Sequence, residues 1–421
     1  MIKTYNFSQN DLLDWLKKLL SWGDSYYPVF AFFDDNKVDY PQKAFKKSFF
    51  ASQKSFDIEK AFGMYQTHDL VGILSYDYKN KIETLKSENV AIIDLPESVF
   101  FIPELKIYFD NDSIHIDAEN PDYIFDSINS IVINIETNRK VDVIAQTSKE
   151  EYTKSIKSIQ NHIVEGDIYE MNYCMAFSFE AEEWNPVVGF FDLMKKSPMP
   201  FSTFFKAKDN YLLCASPERF LKKEKEQLIA QPIKGTIKRG LDSKEDDILK
   251  ERLFSSEKER AENLMIVDLM RNDLSKISLT GSVKVDELFG VYAFPKVFQM
   301  ISTVSSVSQE NVSLKAFFQA TFPMGSMTGA PKIKCMELIE KYESFKRSWF
   351  SGTVGYVMEN GDMDLNVIIR SILFDKKSQK GYFAVGSAIT FDADASYEYE
   401  ECLLKASAIM EVLSCHKTSK D

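Results

Sequence analysis

The sequence predicts a mixed α/β fold with a large, sheet-rich interior. Aromatic residues make up 13% of the 421, with 33 Phe and 19 Tyr, which suits broad sheets better than a helical bundle. Short apolar runs alternate like strands, and longer segments carry apolar residues at helical spacing behind capping signals. Hydrophobic residues at 44% and charged residues at 27% supply a globular core and a solvated surface.

Residues 1–145 mix short apolar runs with polar connectors and form an amino-terminal portion without an interpretable motif. Within it Ile131-Val132-Ile133-Asn134-Ile135 reads as a strand, and 138–147 is a polar stretch fit to link two parts. The main domain, residues 146–414, opens at Ser148-Lys149-Glu150-Glu151, a capping box in which Ser148 and Glu151 satisfy the first free amides of a helix. Tyr152, Ile156, Ile159 and Ile163 follow at helical spacing, and Gly166 offers a stop.

Residues 211–215, 220–221 and 228–230 read as strands, with a hairpin turning in Lys222-Lys223-Glu224-Lys225-Glu226. Such a hairpin sets Glu218 and Lys234 near the same end of neighbouring strands. Helices are expected over 257–272, from Pro331 onward and over 397–412. Residues 366–370 and 382–385 look like strands, the latter followed by Gly386-Ser387-Ala388.

A formal charge of −12 argues against a nucleic-acid-binding surface. No apolar run reaches membrane-spanning length, and the amino terminus lacks the apolar core of a signal peptide. Cys174, Cys214, Cys335, Cys402 and Cys415 stand singly, as reduced thiols of a cytoplasmic protein do. The four histidines, His68, His115, His162 and His416, fall in no catalytic pattern, so acid, base and nucleophile are expected from Lys and Glu.

Pro232-Ile233-Lys234-Gly235-Thr236, one hairpin from Ser216-Pro217-Glu218-Arg219, resembles a nucleophile and acid pair. Glu259 and Glu262 lie three apart on one predicted helix, and Glu398 and Glu401 three apart on another. Four carboxylates without histidine suit a hard cation such as Mg²⁺, and two solvated helix faces would carry the same spacing. The run from Phe322 to Lys332, containing Thr328, Gly329 and Ala330, is a glycine- and hydroxyl-rich turn into a helix, a natural anion receptor or a plain turn. Arg370 could grip a carboxylate with two prongs, and small residues at 386–388 permit close backbone approach.

Taken in order, these segments resemble the chorismate-binding enzymes, a family spanning the large subunits of anthranilate and aminodeoxychorismate synthases and the isochorismate and salicylate synthases. The motifs are Gly166-Asp167-Ile168-Tyr169, Ser216 to Arg219, Pro232 to Thr236, Arg260-Ala261-Glu262-Asn263 on to Leu274, Gly325 to Lys332, Asp364-Leu365-Asn366 leading to Arg370, and Glu398-Tyr399-Glu400-Glu401. They cover about 148–413.

The resemblance implies two large antiparallel sheets packed face to face with helices outside, and a cleft between the halves. It implies Mg²⁺ held by Glu262 and Glu401 directly and by Glu259 and Glu398 through water. Arg370 and the backbone of Gly386, Ser387 and Ala388 match the grip on the enolpyruvyl carboxylate, and the Gly325–Ala330 turn the ring-carboxylate end. Lysine at 234 matches the aminodeoxychorismate synthase branch, in which the amine attacks ring C2 while the C4 hydroxyl leaves, protonated by Glu218. A depressed amine pKa, from burial near the cation, is the expected route to activation. Ammonia from a separate glutamine amidotransferase subunit would then enter at C4.

Five positions depart from the family pattern. Glu170 stands where amine-transferring members have glutamine and isochorismate-forming members a water-activating lysine. Gln299 replaces a histidine, and Phe350 a tyrosine. Ser387 and Ala388 replace glycines, with side chains expected to narrow the pocket. Anthranilate synthesis and a weakly active chorismate-binding subunit are the alternatives.

Overall fold

The computed structural model describes residues 1–8, 11–133 and 137–414. Among these, strands assemble into a 12-stranded and a 9-stranded sheet, and all the pairings are antiparallel. Aromatic side chains join the two inner faces. Phe33 of the larger sheet lies 5.5 Å from Tyr356 of the smaller, and Phe205 of the larger lies 6.3 Å from Phe101 of the smaller. The abundant Phe of the sequence fills this layer and also the helix-backed face of the larger sheet, where Phe190 of the helix Pro186–Lys196 meets Phe32 and Phe204.

The first 145 residues supply strands to both sheets. Ile2–Asn6, Val29–Asp34, Ser48–Ser52, Leu105–Phe109 and Ser113–Asp117 extend the larger, while Leu70–Leu74 and Ser98–Phe101 edge the smaller. One apolar cluster runs from Trp15 to Leu413 through both portions. The polar stretch 138–147 is no free linker, because Val143–Ala145 pairs with Glu170–Glu180. Residues 131–133 form no strand, and Asn134 and Ile135 lie outside the described residues, as do Cys415 and His416.

Helices back each sheet. Lys149–Val164 begins at Ser148 with both halves of the capping box in place, and buries Tyr152, Ile156 and Ile159. It packs beside Ala395–Leu413, which lies on the strand Lys380–Ile389 of the larger sheet. Glu257–Ser275 lies across Ile233–Lys238 and Val297–Val307 of the smaller sheet. The helix after Pro331 spans Lys332–Tyr342.

The hairpin forms as the charge run predicts. Arg219–Glu224 and Gln227–Gln231 pair with Glu224 opposite Gln227, and Lys225 takes a positive φ of 56° in the turn. Residues 366–370 differ from the expected strand. Met363–Asn366 ends in the smaller sheet, Ser371–Asp375 begins in the larger, and the chain crosses between them over 367–370. In the apolar run Val367-Ile368-Ile369 the first two residues are buried and the third half-buried, as a crossing between layers, which alternation alone cannot separate from a strand. Ser216-Pro217-Glu218-Arg219 is a second crossing of this kind, from Asn210–Ser216 in the larger sheet to Arg219–Glu224 in the smaller.

Candidate active site

The two crossings lie side by side. The Val367 amide donates to the Glu218 carbonyl at 3.0 Å, and the Ala215 amide to the Arg370 carbonyl at 3.1 Å. Both open into a cleft of roughly 400 Å³, a volume ordinary for small-molecule sites. Its walls carry Glu218, Lys234, Gln299, Phe350, Arg370, Gly386, Ala388 and the four glutamates 259, 262, 398 and 401. Glu259 and Glu262 come from the helix on the smaller sheet, Glu398 and Glu401 from the helix on the larger.

Lys234 sits on a bulge. Ile233 pairs with Ile301 and Thr236 with Gln299, so Lys234 and Gly235 together face Met300 alone. The extra residue turns the lysine into the cleft. Gly235 takes φ +91°, and a Cβ there would lie 3.0 Å from the Glu259 Oε2 atom. Glycine is therefore required both by the backbone and by the neighbouring carboxylate.

The Lys234 Nζ donates to Glu170 Oε1 at 2.6 Å, and the lysine side chain is only 10% exposed. Burial pushes its pKa down, as expected from the sequence. The charges of Glu170, Glu262 and Glu218 push it up further, and the net shift is upward. The expected depression is corrected accordingly: the amine rests as an ammonium because carboxylates surround it.

Glu218 is buried, and that burial lifts its carboxyl pKa to about 7 against the pull of Ser326, Lys234 and the Ile233 amide. It is poised between acid and carboxylate at neutral pH, which suits a proton donor. Glu262 is likewise raised to about 7 by burial, with Glu170 and Glu259 adding and Lys234 and Lys258 opposing. Its Oε1 atom is buried without a hydrogen-bond partner.

Arg370 has φ +51° at the end of its crossing. Burial alone lowers its pKa to about 10, with no carboxylate among the described residues compensating. A guanidinium held in a cleft without an acid partner is a receptor for an anion.

The remaining expected residues divide. Gly386 and Ala388 line the cleft from within the strand Lys380–Ile389, rather than after it. Ser387 faces the other way, its hydroxyl 2.9 Å from that of Tyr152, so it does not narrow the pocket. Thr328, Gly329 and Ala330 serve the frame instead of the wall. The Thr328 hydroxyl bonds the Met324 and Gly325 carbonyls, and Gly329 and Ala330 pair with Met171 and Glu170. A Cβ on Gly329 would meet the Glu170 carbonyl at 2.1 Å. At this turn Ser326 and Met327 are the lining residues.

Sequence reasoning missed Asn172, Lys258 and Lys405, which also line the cleft. Lys405 bridges Glu401 at 2.7 Å and the Gly386 carbonyl at 2.9 Å. Lys258 donates to Glu398 at 3.0 Å. The donor set, four carboxylates with one buried oxygen unpartnered, fits a hard cation. Their oxygens do not yet converge. Among the described residues the three ligand atoms that come within 4.8 Å of one another belong to His162, Glu165 and Asp167. Both ring nitrogens of that histidine are engaged, by Asp167 and by the Tyr342 hydroxyl, which leaves neither for a metal.

Comparison with known proteins bears on this cleft. The profile of the chorismate binding enzyme family matches residues 23–411. The chain belongs to the chorismate-binding enzymes. The match begins inside the amino-terminal portion, in keeping with the strands that portion gives to both sheets.

Among family members, "Aminodeoxychorismate synthase component 1" of Klebsiella aerogenes is 32% identical over 82% of this chain and 76% of its own length. "Probable aminodeoxychorismate synthase, chloroplastic" of Oryza sativa subsp. japonica is 37% identical over 68% of this chain, which spans only 32% of that longer protein. Anthranilate synthase component I from Streptococcus pneumoniae superposes with a TM-score of 0.75 at 24% identity, over 96% of this chain and 91% of its own. That likeness shows the fold. Among the described residues no helix is long and apolar enough to cross a membrane.

Proposed function

We propose that the chain is the component I of an aminodeoxychorismate synthase, converting chorismate and ammonia to 4-amino-4-deoxychorismate on the route to 4-aminobenzoate and folate. The observation that carries this reading is Lys234, an amine on a bulge in a cleft, beside a carboxyl poised near neutrality and an arginine without an acid partner among the described residues. Relatives bearing that synthase name match over 68% and 82% of this chain.

Arg370 grips the enolpyruvyl carboxylate, with the Gly386 and Ala388 backbone beside it. Glu262 and Glu401, with Glu259 and Glu398 behind them, would hold Mg²⁺. That ion would neutralise the ring carboxylate and fix the ring. Lys234 passes its proton to Glu170, its hydrogen-bond partner, which returns it when the amine is released, and the free amine forms a bond to ring C2. The ring double bond shifts, and the C4 hydroxyl leaves with the proton of Glu218 as water. Ammonia then adds at C4, the double bond shifts back, and Lys234 departs as the free amine.

The cleft wall counts seven basic groups (Lys196, Lys234, Lys238, Lys258, Lys296, Arg370, Lys405) against five acidic ones (Glu218, Glu259, Glu262, Glu398, Glu401), in a protein of net charge −12. That local reversal of sign favours a dianionic substrate. Ammonia would come from a separate glutamine amidotransferase subunit, in a cytoplasmic complex.

Incubating the pure chain with chorismate, Mg²⁺ and an ammonium salt tests the reading. Aminodeoxychorismate is the expected product; anthranilate with pyruvate would assign the chain to the anthranilate synthase branch instead.

A further inference from the structure

We propose that Lys258 competes with the divalent cation for its carboxylates, so that cation entry requires this one side chain to swing out of the cleft. The inference rests on the cation reading above and adds to it a residue that sets how tightly the ion is held.

The Lys258 Nζ lies 3.0 Å from Glu398 Oε1 and 3.8 Å from Glu262 Oε1. The latter oxygen is the buried one with no hydrogen-bond partner. One ammonium thus spans the two helices that carry the glutamates, on oxygens that a cation would also use. A Mg²⁺ ion draws its oxygens to about 2.0–2.1 Å, which leaves no room for an ammonium on the same atoms. The carboxylates remain apart while the lysine stands between them, consistent with no three of them lying within 4.8 Å.

The lysine is the partner able to move. Its side chain is 43% exposed, whereas those of Glu398 and Glu262 are 2% and 8% exposed. In this position the ammonium also lies 5.3 Å from the ring of Tyr397, a residue 62% exposed, in a cation–π contact. Lys405 differs, because it is tied to Glu401 and to the Gly386 carbonyl at once and is far less free to leave.

The test measures Mn²⁺ binding to the full chain without chorismate, from loss of the free-ion electron paramagnetic resonance signal. Wild type is compared with Lys258→Gln, the charge-retaining Lys258→Arg, and Lys238→Gln at the cleft mouth. Lys258→Gln is expected to bind Mn²⁺ about tenfold more tightly, since one nearby positive charge is gone, with the other two variants near wild type. Thermal unfolding without metal should show Lys258→Gln less stable than wild type, with added Mn²⁺ closing the gap. Equal or weaker Mn²⁺ binding by Lys258→Gln overturns the proposal while leaving the cation site standing. Failure of every protein to bind Mn²⁺ better than Glu401→Gln overturns both together, and the amination assay then reports separately on the activity.

Discussion

Lys234 and Glu170 form an ion pair of 2.6 Å that is nearly sealed from solvent, the carboxylate being 1% exposed and its second oxygen unpartnered. The negative charge of Glu170 helps hold the amine protonated. Glu170→Gln keeps the shape and removes the charge. Lys234 should then lose its proton at lower pH, so the rise of amination rate with pH begins earlier in the variant. A pH–rate profile identical to wild type would mean that the pair only braces the cleft.

Glu218 predicts the opposite limb. Its carboxyl, raised to about 7, is protonated below that pH and loses its proton above it. The kcat/KM of amination should fall as pH rises through 7, and Glu218→Gln should lower the rate by about 10²–10⁴-fold and abolish that limb. Stability has a matching sign. Between about 4.5 and 7 the folded state holds a proton that the unfolded chain has released, so stability drops as pH rises across this window. Denaturant melts at several pH values should show a shallower slope in Glu218→Gln, with Glu262 among the raised carboxyls that supply the remainder.

Arg370 costs the protein something in the absence of an anion, because its guanidinium is desolvated with no acid among the described residues to compensate. Arg370→Met should therefore leave the melting temperature level or higher while weakening chorismate binding about 10–100-fold, the value of a hydrogen-bonded charge. Isothermal titration and a thermal melt together check this; a large loss of stability would make the arginine structural.

Arg219 offers the contrast. Its guanidinium bonds Asp364 with both prongs, at 2.8 and 2.9 Å, clamping the two sheet crossings where Glu218 and Arg370 sit. Removing one partner of a buried pair leaves a bare charge, so Arg219→Ala should lose about 3–5 kcal/mol in urea unfolding. A loss below about 1 kcal/mol, as for an exposed pair, would contradict the clamp.

Much of this was legible beforehand. Ser148 with Glu151 announces a helix because the capping chemistry is local, and the charged run 222–226 announces a hairpin because a turn must face water. Lys234, Glu218, Arg370 and the four glutamates meet in one cleft as their motifs imply. What escaped was set by tertiary placement. Residues 366–370 carry a strand's pattern yet cross between sheets, since both environments are apolar. Ser387 reads as pocket-lining, but strand alternation points it at Tyr152. Lys258 and Lys405 look like solvated lysines, although each stands four residues from a glutamate of its own helix, Glu262 and Glu401, and that spacing could have found them; only the contact of Lys258 with Glu398 needs the approach of two distant helices.

The central claim is that Lys234 bonds to the chorismate ring. Intact-protein and peptide mass spectrometry of the chain incubated with chorismate and Mg²⁺, with ammonia withheld, tests it most directly. An adduct equal to chorismate less one water, on the peptide containing Lys234 and absent from Lys234→Ala, is the predicted result. Full amination by Lys234→Ala, or an adduct confined to another residue, would contradict it.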